Sequence, residues 1–365
     1  MSRELMWNGD NLTVRIYGQS HSESIGVYVQ GFPNSFNVDE DKLSSFMARR
    51  APGKNAWSTS RKEPDTVRLS YEDDGYHGVI YNTNTRPQDY EDLLRNPRPS
   101  HADYTGNLKY GSSVMGSGGG SFSGRMTAPL CIAGGMAIQY LESMGITINA
   151  HIRSIGSIQD DSYYSTSDKE AFLESLKEVG GKEFPVVNDD KGNRMKEAIQ
   201  EAFSRKDSVG GVIECVVEGF PECLGGPLFN GLEGKIANIE MAIPGAKGVE
   251  FGLGFESTRI WGSENNDSFF YDETGELKLK TNNCGGILGG ISAGIKNAPI
   301  VFAVGIKPTP SIGLEQDTVD TVSKKNTKIT VKGRHDPCIC PRAVPVVEAA
   351  CAIALMDSIL CKERE

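Results

Sequence analysis

The sequence predicts an α+β fold in a single domain. Short apolar alternations, such as residues 66–71, indicate strands, and longer runs with helical spacing, such as residues 128–144, indicate helices. The two patterns are interspersed along 365 residues, a length that suits one large domain or two ordinary ones. Residues 180–207 are locally charged and could form a hinge or an insertion, but no repeat or proline-rich linker marks a boundary. One domain over residues 1–365 is therefore predicted.

Four strands are predicted from β-branched and apolar runs. Residues 25–32 should end at the proline that follows them, because proline cannot continue a hydrogen-bonded ladder. Residues 66–71 alternate apolar and polar side chains, as a half-buried strand does. Residues 211–220 form the third clear strand, and residues 328–332 form an edge piece.

Helices are predicted from apolar positions that recur with a helical period. The last helix should begin near Pro345, since proline is tolerated in a first helical turn, and should run to Leu360. Its broad apolar stripe predicts a place in the core. The other helices are predicted at residues 40–50, 128–144, 168–178, 194–205 and 232–243.

Composition excludes several classes of protein. With 38 basic and 48 acidic residues the net charge is −10, which argues against nucleic acid as a partner for the whole surface. Four of the eight cysteines, Cys131, Cys215, Cys351 and Cys361, lie in apolar runs, as reduced core residues do. Cys338 and Cys340 are too close in sequence for a zinc knuckle. We therefore expect no disulfide frame and no metal site. No signal peptide and no apolar run near 18 residues is present, so a soluble, cytoplasmic protein is predicted.

The segment 97–130 carries the strongest functional signal. His101 and Asp103 precede a glycine-rich loop, Gly116–Gly120, that should end at the N-terminus of the helix predicted at residues 128–144. Glycines leave amide groups open to an anion, and a helix N-terminus favours phosphate. This combination predicts an active site that handles phosphate.

Other segments carry weaker signals. His21 and His335 lie in polar turns, whereas His77 and His151 have no such surroundings and are predicted to be structural. The basic run 49–54 could bind a ligand or could simply complement a helix C-terminus. The glycine-rich run 282–291 would let backbone lie against a flat ligand, and Lys307 to Ser311 would suit a phosphate or a ring carbonyl. Neither glycine-rich run matches a nucleotide-binding fingerprint.

Taken together, these segments closely resemble the chorismate synthase family over nearly the whole chain. Many separated matches occur in the same order as in the family. They comprise Gly18 to His21, Arg49 to Gly53, His101 to Thr105, Lys109 to Gly111, Ser123 to Thr127, Lys247 to Glu250, Gly285 to Gly290, Lys307 to Thr309, Arg334 to Cys338 and Arg342 to Pro345.

The resemblance implies a β-α-β sandwich fold and a homotetramer. It also implies conversion of 5-enolpyruvylshikimate 3-phosphate to chorismate, a 1,4-anti elimination that needs reduced FMN and is the last common step towards the aromatic amino acids. His21 and His101 would be the acid–base histidines, and Asp336 would assist proton removal at the flavin. Arg49, Arg50 and Arg125 would hold the anionic substrate or, in some members, NADPH. Flavin contacts would fall on Ser121, Phe122, Ser123, Pro244, Gly245, Gly289, Lys307, Pro308, Thr309, Pro310, Ser311 and Arg334.

The chain departs from the family pattern in three places. Gln19 and Ser22 stand where many members have Glu and Gly. The run 121–125 lacks one arginine that members often place near the flavin, and Ala56 replaces a basic residue, which weakens the case for nicotinamide binding there. A different class, a flavin- or nucleotide-binding regulatory protein without catalysis, is the alternative. The retained histidines and the acid at position 336 argue against it.

Overall fold

The fold is a sandwich of two five-stranded sheets, and the computed structural model describes residues 5–51, 64–83, 93–111, 119–331 and 336–362. Each large sheet is antiparallel throughout. The strands in chain order are β1 (Leu5–Asn8), β2 (Thr13–Gly18), β3 (Ser24–Gln30), β4 (Arg68–Glu72), β5 (Gly75–Tyr81), β6 (Thr147–Ile155), β7 (Ile158–Gln159), β8 (Gly211–Glu218), β9 (Ala246–Phe251), β10 (Phe269–Tyr271), β11 (Leu277–Leu279), β12 (Ile287–Leu288), β13 (Ile291–Ser292), β14 (Ile300–Ile306), β15 (Gln316–Asp320) and β16 (Lys325–Ile329).

The first sheet has the order β1-β2-β3-β5-β4, and the second has the order β7-β6-β8-β14-β9. The remaining strands form the hairpins β10–β11, β12–β13 and β15–β16. The predicted strands at 25–32, 66–71 and 211–220 are confirmed as β3, β4 and β8, with shifts of up to two residues. The edge piece predicted at 328–332 begins three residues earlier, as the second strand of a hairpin.

Two helices fill the space between the sheets, which confirms the sandwich expected from the resemblance. One of them packs on β3 and β5, the other packs on β6 and β8, and the two contact each other along their length. These are α3 and α8 of the following series: α1 (Glu40–Arg50), α2 (Asp103–Tyr110), α3 (Thr127–Ser143), α4 (Lys169–Lys177), α5 (Asp189–Ser204), α6 (Leu232–Glu240), α7 (Gly262–Asn265) and α8 (Cys340–Lys362). A β-carbon at Gly134 would overlap Ala349, so glycine at that position lets α3 and α8 pack closely.

Helix α8 begins five residues before the predicted start. Pro341 occupies the first turn, which is the place that the prediction gave to Pro345, and Pro345 lies inside the helix. The stretch Cys340–Cys361 is long and apolar enough to span a membrane by composition, but 94% of an 18-residue apolar window within it is buried inside the fold. It is therefore a core helix, packed between sheets whose inner faces share its hydrophobic cluster.

The loops at one end of the sandwich position the site. They comprise the β2–β3 turn, the segment around α2, two short 3₁₀ turns before α3, the segment after α6, the segment after β14 and the residues before α8. The predicted glycine loop does not run straight into α3, because the 3₁₀ turns Gly120–Phe122 and Gly124–Met126 intervene. Residues 116–118 of that loop lie outside the described residues.

Candidate active site

A cavity of about 990 Å³ lies where these loops meet. Its size is at the upper end of the range for small-molecule sites, which is roughly 300–1,000 Å³. The structure brings together residues that are more than 300 positions apart in sequence. Of the predicted site residues, the cavity is lined by His21, Arg50, His101, Ser121, Phe122, Ser123, Arg125, Pro244, Gly245, Lys307, Pro308, Thr309, Pro310, Ser311 and Asp336.

Three predicted site residues are not placed at this cavity. The Arg49 guanidinium donates to both carboxylate oxygens of Glu348, at 2.6 and 2.9 Å, and lines a separate pocket of about 300 Å³. Within one chain, Arg49 therefore ties α1 to α8 and does not face the cavity. Gly289 lies in the β12–β13 hairpin turn, away from the cavity lining. Arg334 lies outside the described residues.

His21 is held by a closed turn between β2 and β3. The Ser22 hydroxyl accepts from the Gln19 amide at 2.9 Å and lies 2.6 Å from the Ser24 carbonyl oxygen, to which it donates. The Ser20 amide donates to the Gly120 carbonyl, which joins this turn to the 3₁₀ segment before α3. The Ser22 side chain thus closes the turn.

His101 is oriented by a buried ion pair. Its Nδ1 lies 2.7 Å from Asp103 Oδ1 and 3.1 Å from Arg98 Nη2. A carboxylate can only accept and is the nearer partner, so we assign the proton to Nδ1. Nε2 is then the ring nitrogen available for proton exchange. It lies beside Gly119, where a β-carbon would come within 3.3 Å of it.

Arg98, which also lines the cavity, holds His101 and Asp103 in place. Its Nε and Nη2 each donate to Asp103 at 2.7 Å, and its Nη1 donates to the Ser311 hydroxyl at 2.9 Å. Burial alone would raise the pKa of Asp103, but hydrogen bonds from Arg98 and His101 outweigh it and hold that pKa well below its ordinary value. Sequence reasoning did not select Arg98. Its only signal was its position three residues before the histidine.

Arg50 and Arg125 share a carboxylate that sequence reasoning also missed. Both guanidinium groups pair with Asp65, whose side chain is fully buried. Burial opposes ionisation of Asp65, yet the two arginines outweigh it and lower its pKa. In the sequence Asp65 follows a charged run, Arg61-Lys62-Glu63, which is typical of a solvated surface.

Asp336 lies at the N-terminal side of α8 and is paired with Arg342. Arg342 Nη1 donates to Asp336 Oδ2 at 2.6 Å, and Arg342 Nε donates to the Arg50 carbonyl at 3.1 Å. The Thr309 hydroxyl donates to the Asp336 carbonyl at 2.9 Å. The predicted proton acceptor is therefore fixed to the segment that follows β14.

Lys247 and Lys307 also line the cavity. Burial, together with the like charge of Lys247, lowers the pKa of Lys307. Lys307 Nζ donates to the Ser100 carbonyl at 2.6 Å, but among the residues described by the structure neither lysine forms an ion pair with a carboxylate. Two neighbouring ammonium groups that have no ion-pair partner among the described residues favour an anionic ligand group such as phosphate.

The remaining described histidines lie away from the cavity. His77 contacts the Tyr17 hydroxyl and Glu72 on the first sheet. His151 is fully buried between Asp160 and Glu214, at 3.2 Å from each. Burial would lower the pKa of His151, but hydrogen bonds to these two acids raise it to about 9. These positions agree with the structural roles predicted for both.

Comparison with known proteins gives one consistent result. The family model described as chorismate synthase matches residues 12–360. A chorismate synthase of Methanocaldococcus jannaschii is 41% identical over 367 residues, covering 96% of this chain and 95% of that protein. One from Lancefieldella parvula is 39% identical over 366 residues, with coverage of 96% and 95%. A crystal structure of a chorismate synthase shares the fold, with a TM-score of 0.73, 24% identity and coverage of 97% of this chain and 93% of that one.

Proposed function

Because this chain belongs to the chorismate synthase family, we propose that it converts 5-enolpyruvylshikimate 3-phosphate to chorismate with the help of reduced FMN. Membership makes it an enzyme, a carbon–oxygen lyase that acts on a phosphate-bearing substrate. The proposed reaction is a 1,4-anti elimination of phosphate and a ring proton. The observation that carries the proposal is the convergence of His21, His101 and Asp336 with several cations around one cavity.

The cavity fits a flavin beside the substrate. Its size leaves room for more than one small molecule, and Pro244 and Gly245 form an uncharged wall. Gly245 has φ +99°, and a β-carbon there would come within 3.1 Å of Ile339, so the position favours glycine. Lys247 and Lys307 would hold the flavin phosphate. When bound, the reduced flavin would supply transient electron density for cleavage of the carbon–oxygen bond.

The arginines would bind the substrate. The proposed substrate carries two carboxylates and a phosphate, groups that guanidinium forks bind in a bidentate manner. Arg125 and Arg50 both line the cavity and are proposed for this role. Arg49 is not part of the proposed site within one chain, since it is paired with Glu348.

The histidines would hold and move protons. The protonated Nδ1 of His101 donates to Asp103, so Nε2 is the atom that exchanges protons with the cavity. His21, on the β2–β3 turn, would protonate the leaving phosphate. The carboxylate of Asp336, held by Arg342, would accept a proton near the flavin.

The source of electrons for the flavin, the oligomeric state and the cellular location are also part of the proposal. NADPH could supply the electrons that reduce the flavin. Arg50 is one of the residues expected to bind NADPH, but it already donates to three protein groups, which argues against that role for Arg50. A homotetramer is supported by large apolar side chains that are exposed in one chain, including Phe229 at 98% and Trp261 at 78%. Light scattering of the purified protein tests the assembly. A cytoplasmic location is proposed because the family's reaction uses soluble small molecules.

The decisive experiment is anaerobic turnover with purified protein, the proposed substrate and chemically reduced FMN. We expect chorismate and inorganic phosphate in equal amounts. A parent protein that binds FMN but releases neither product would favour the regulatory alternative. His77→Gln is the matched control, because this histidine lies outside the cavity and its replacement should leave the rate unchanged.

A further inference from the structure

We infer that Asp65, together with Asn82, is a positioning residue that holds Arg50 and Arg125 in place for the substrate before it binds. The inference rests on the proposed function, because it concerns the same substrate. Neither Asp65 nor Asn82 lines the cavity, so each acts through the arginines that do.

Asp65 lies behind the two arginines and uses both of its carboxylate oxygens. Arg50 Nη1 donates to Oδ2 at 2.5 Å, and Arg125 Nη1 donates to Oδ1. The Asp65 side chain has no exposed surface, whereas the arginine side chains retain 2% and 4%. A ligand that enters the cavity therefore meets the guanidinium groups and cannot replace the carboxylate behind them.

The other donors of Arg50 are fixed at the start of α3. Its Nε donates to the Thr127 hydroxyl at 3.0 Å, and its Nη2 donates to the Gly124 carbonyl at 3.2 Å. The Thr127 hydroxyl donates to the same carbonyl at 2.7 Å. Three bonds to rigid groups leave this guanidinium with one orientation.

Arg125 is fixed on its other edge by Asn82. Its Nε and Nη2 both donate to Asn82 Oδ1, at 3.1 and 3.0 Å. Asn82 Nδ2 in turn donates to the Ser22 carbonyl at 2.7 Å. Asn82 thus joins Arg125 to the turn that carries His21, so the substrate-binding and proton-transfer groups share one support.

The Asp65 carboxylate is needed because it offsets the positive charges of Arg50 and Arg125. Two guanidinium groups held this close repel each other, and before the substrate binds there is no anion in the cavity to offset the repulsion. Asp65 supplies that counter-charge permanently. Groups ordered in advance lose little entropy when the ligand arrives, so the expected benefit is in substrate affinity.

Asp65→Asn is the appropriate variant. Asp65 has φ 51°, in the left-handed region where asparagine is tolerated better than most residues. Asparagine also matches the shape of aspartate, so the change removes the charge without a backbone penalty or a cavity. The asparagine oxygen can accept a hydrogen bond from one arginine, but the neutral side chain cannot offset the positive charge of the two arginines.

The test measures substrate binding and turnover separately. With oxidised FMN present, calorimetry gives the Kd of 5-enolpyruvylshikimate 3-phosphate; with reduced FMN, kinetics give KM and kcat. For Asp65→Asn we expect Kd and KM to rise about tenfold, because charge-assisted bonds are lost. We expect kcat to stay within about threefold, because bound substrate itself orders the arginines. Asn82→Ala should raise KM by about threefold, through Arg125 alone.

Asp160→Asn is the matched control. Asp160 is also buried and also holds a cation, His151, but on the second sheet away from the cavity. The Asp160→Asn variant should have a lower melting temperature than the parent protein and the same KM. Should Asp65→Asn fail to fold, Asn82→Ala carries the test. Unchanged Kd and KM in the variants that fold, or tighter binding in Asp65→Asn, would overturn the inference. A parent protein that never turns the substrate over would instead refute the proposed function.

Discussion

Asp103→Asn tests whether the buried carboxylate beside His101 determines which ring nitrogen of that histidine carries the proton. The side chain is 3% exposed and accepts from Arg98 and His101, each at 2.7 Å. Asparagine fits the same space but carries an amide group that can donate to Nδ1. The proton would then move to Nε2, which reverses the donor and acceptor roles of the ring.

The magnitude follows from the bonds that are lost. A hydrogen bond to a charged group contributes about 1.5–3 kcal/mol, and about 1.4 kcal/mol corresponds to a tenfold change in rate. Turnover should therefore fall by roughly 10- to 150-fold. Arg98 would keep its charge in a buried place with its main partner neutralised, a change that typically costs about 3–5 kcal/mol of unfolding free energy.

The stability loss should depend on pH in one direction only. The pKa of Asp103 is lower in the folded protein than in the unfolded chain, where it is near 3.9. The contribution of Asp103 to the free energy of unfolding is therefore fully present above about pH 3.9 and is lost as the pH falls below that value towards the folded-state pKa. The difference in unfolding free energy between parent and variant should be constant from pH 8 to about pH 5 and should narrow below about pH 4.

The assays are anaerobic turnover and urea unfolding at a series of pH values. Asp161→Asn is the control, because Asp161 pairs with Lys191 at a partly exposed position and should change stability by less than about 1 kcal/mol. The reasoning is wrong if Asp103→Asn keeps turnover within about threefold of the parent. It is also wrong if the stability difference stays constant down to pH 2, since Asp103 would then not be ionised.

Three other outcomes are expected. His21→Ala and His101→Ala should each fold and bind FMN but lose about 10²–10⁴-fold in turnover, measured beside a melting curve; rates within threefold would remove their acid–base role. His151→Gln should destabilise the protein most below about pH 6.5 and progressively less as the pH rises through about 9, because its pKa is raised in the folded state; urea unfolding at pH 6 and pH 10 checks this. Lys307→Ala should weaken FMN binding and reduce its dependence on salt, measured by flavin fluorescence; an unchanged Kd would move the phosphate site elsewhere.

The sequence predicted regular elements best where local signals agreed. Helix α1 has the predicted bounds because both of its ends carry local signals. The Asp39 side chain caps the first turn by accepting from the backbone amides of Asp41 and Lys42, and the basic residues in the last turn complement the helix C-terminus. The start of α8 was wrong because two prolines are compatible with a first helical turn. Only packing between the sheets shows that Pro341 occupies it.

The site was predictable only in part. His101 and Asp103 were found from local composition, whereas a shared cavity with Asp336 was expected only from the resemblance to a family. Arg98 and Asp65 were missed because a buried ion pair has the same sequence signature as a solvated charge. Burial of both partners depends on loops that are distant in the chain, so no local pattern could have identified them.

The distribution of charge explains how a protein with a net charge of −10 can hold a substrate with several negative groups. Four arginines line the cavity, Arg50, Arg98, Arg125 and Arg342, and each is paired with a carboxylate. A buried guanidinium without such a partner would be strongly destabilising. Lys247 and Lys307 differ, since their charge faces the cavity without a carboxylate partner among the described residues. Replacing a lysine should therefore remove charge that acts on the ligand. Replacing an arginine also leaves a buried carboxylate unbalanced, so its effect on binding must be separated from its effect on stability.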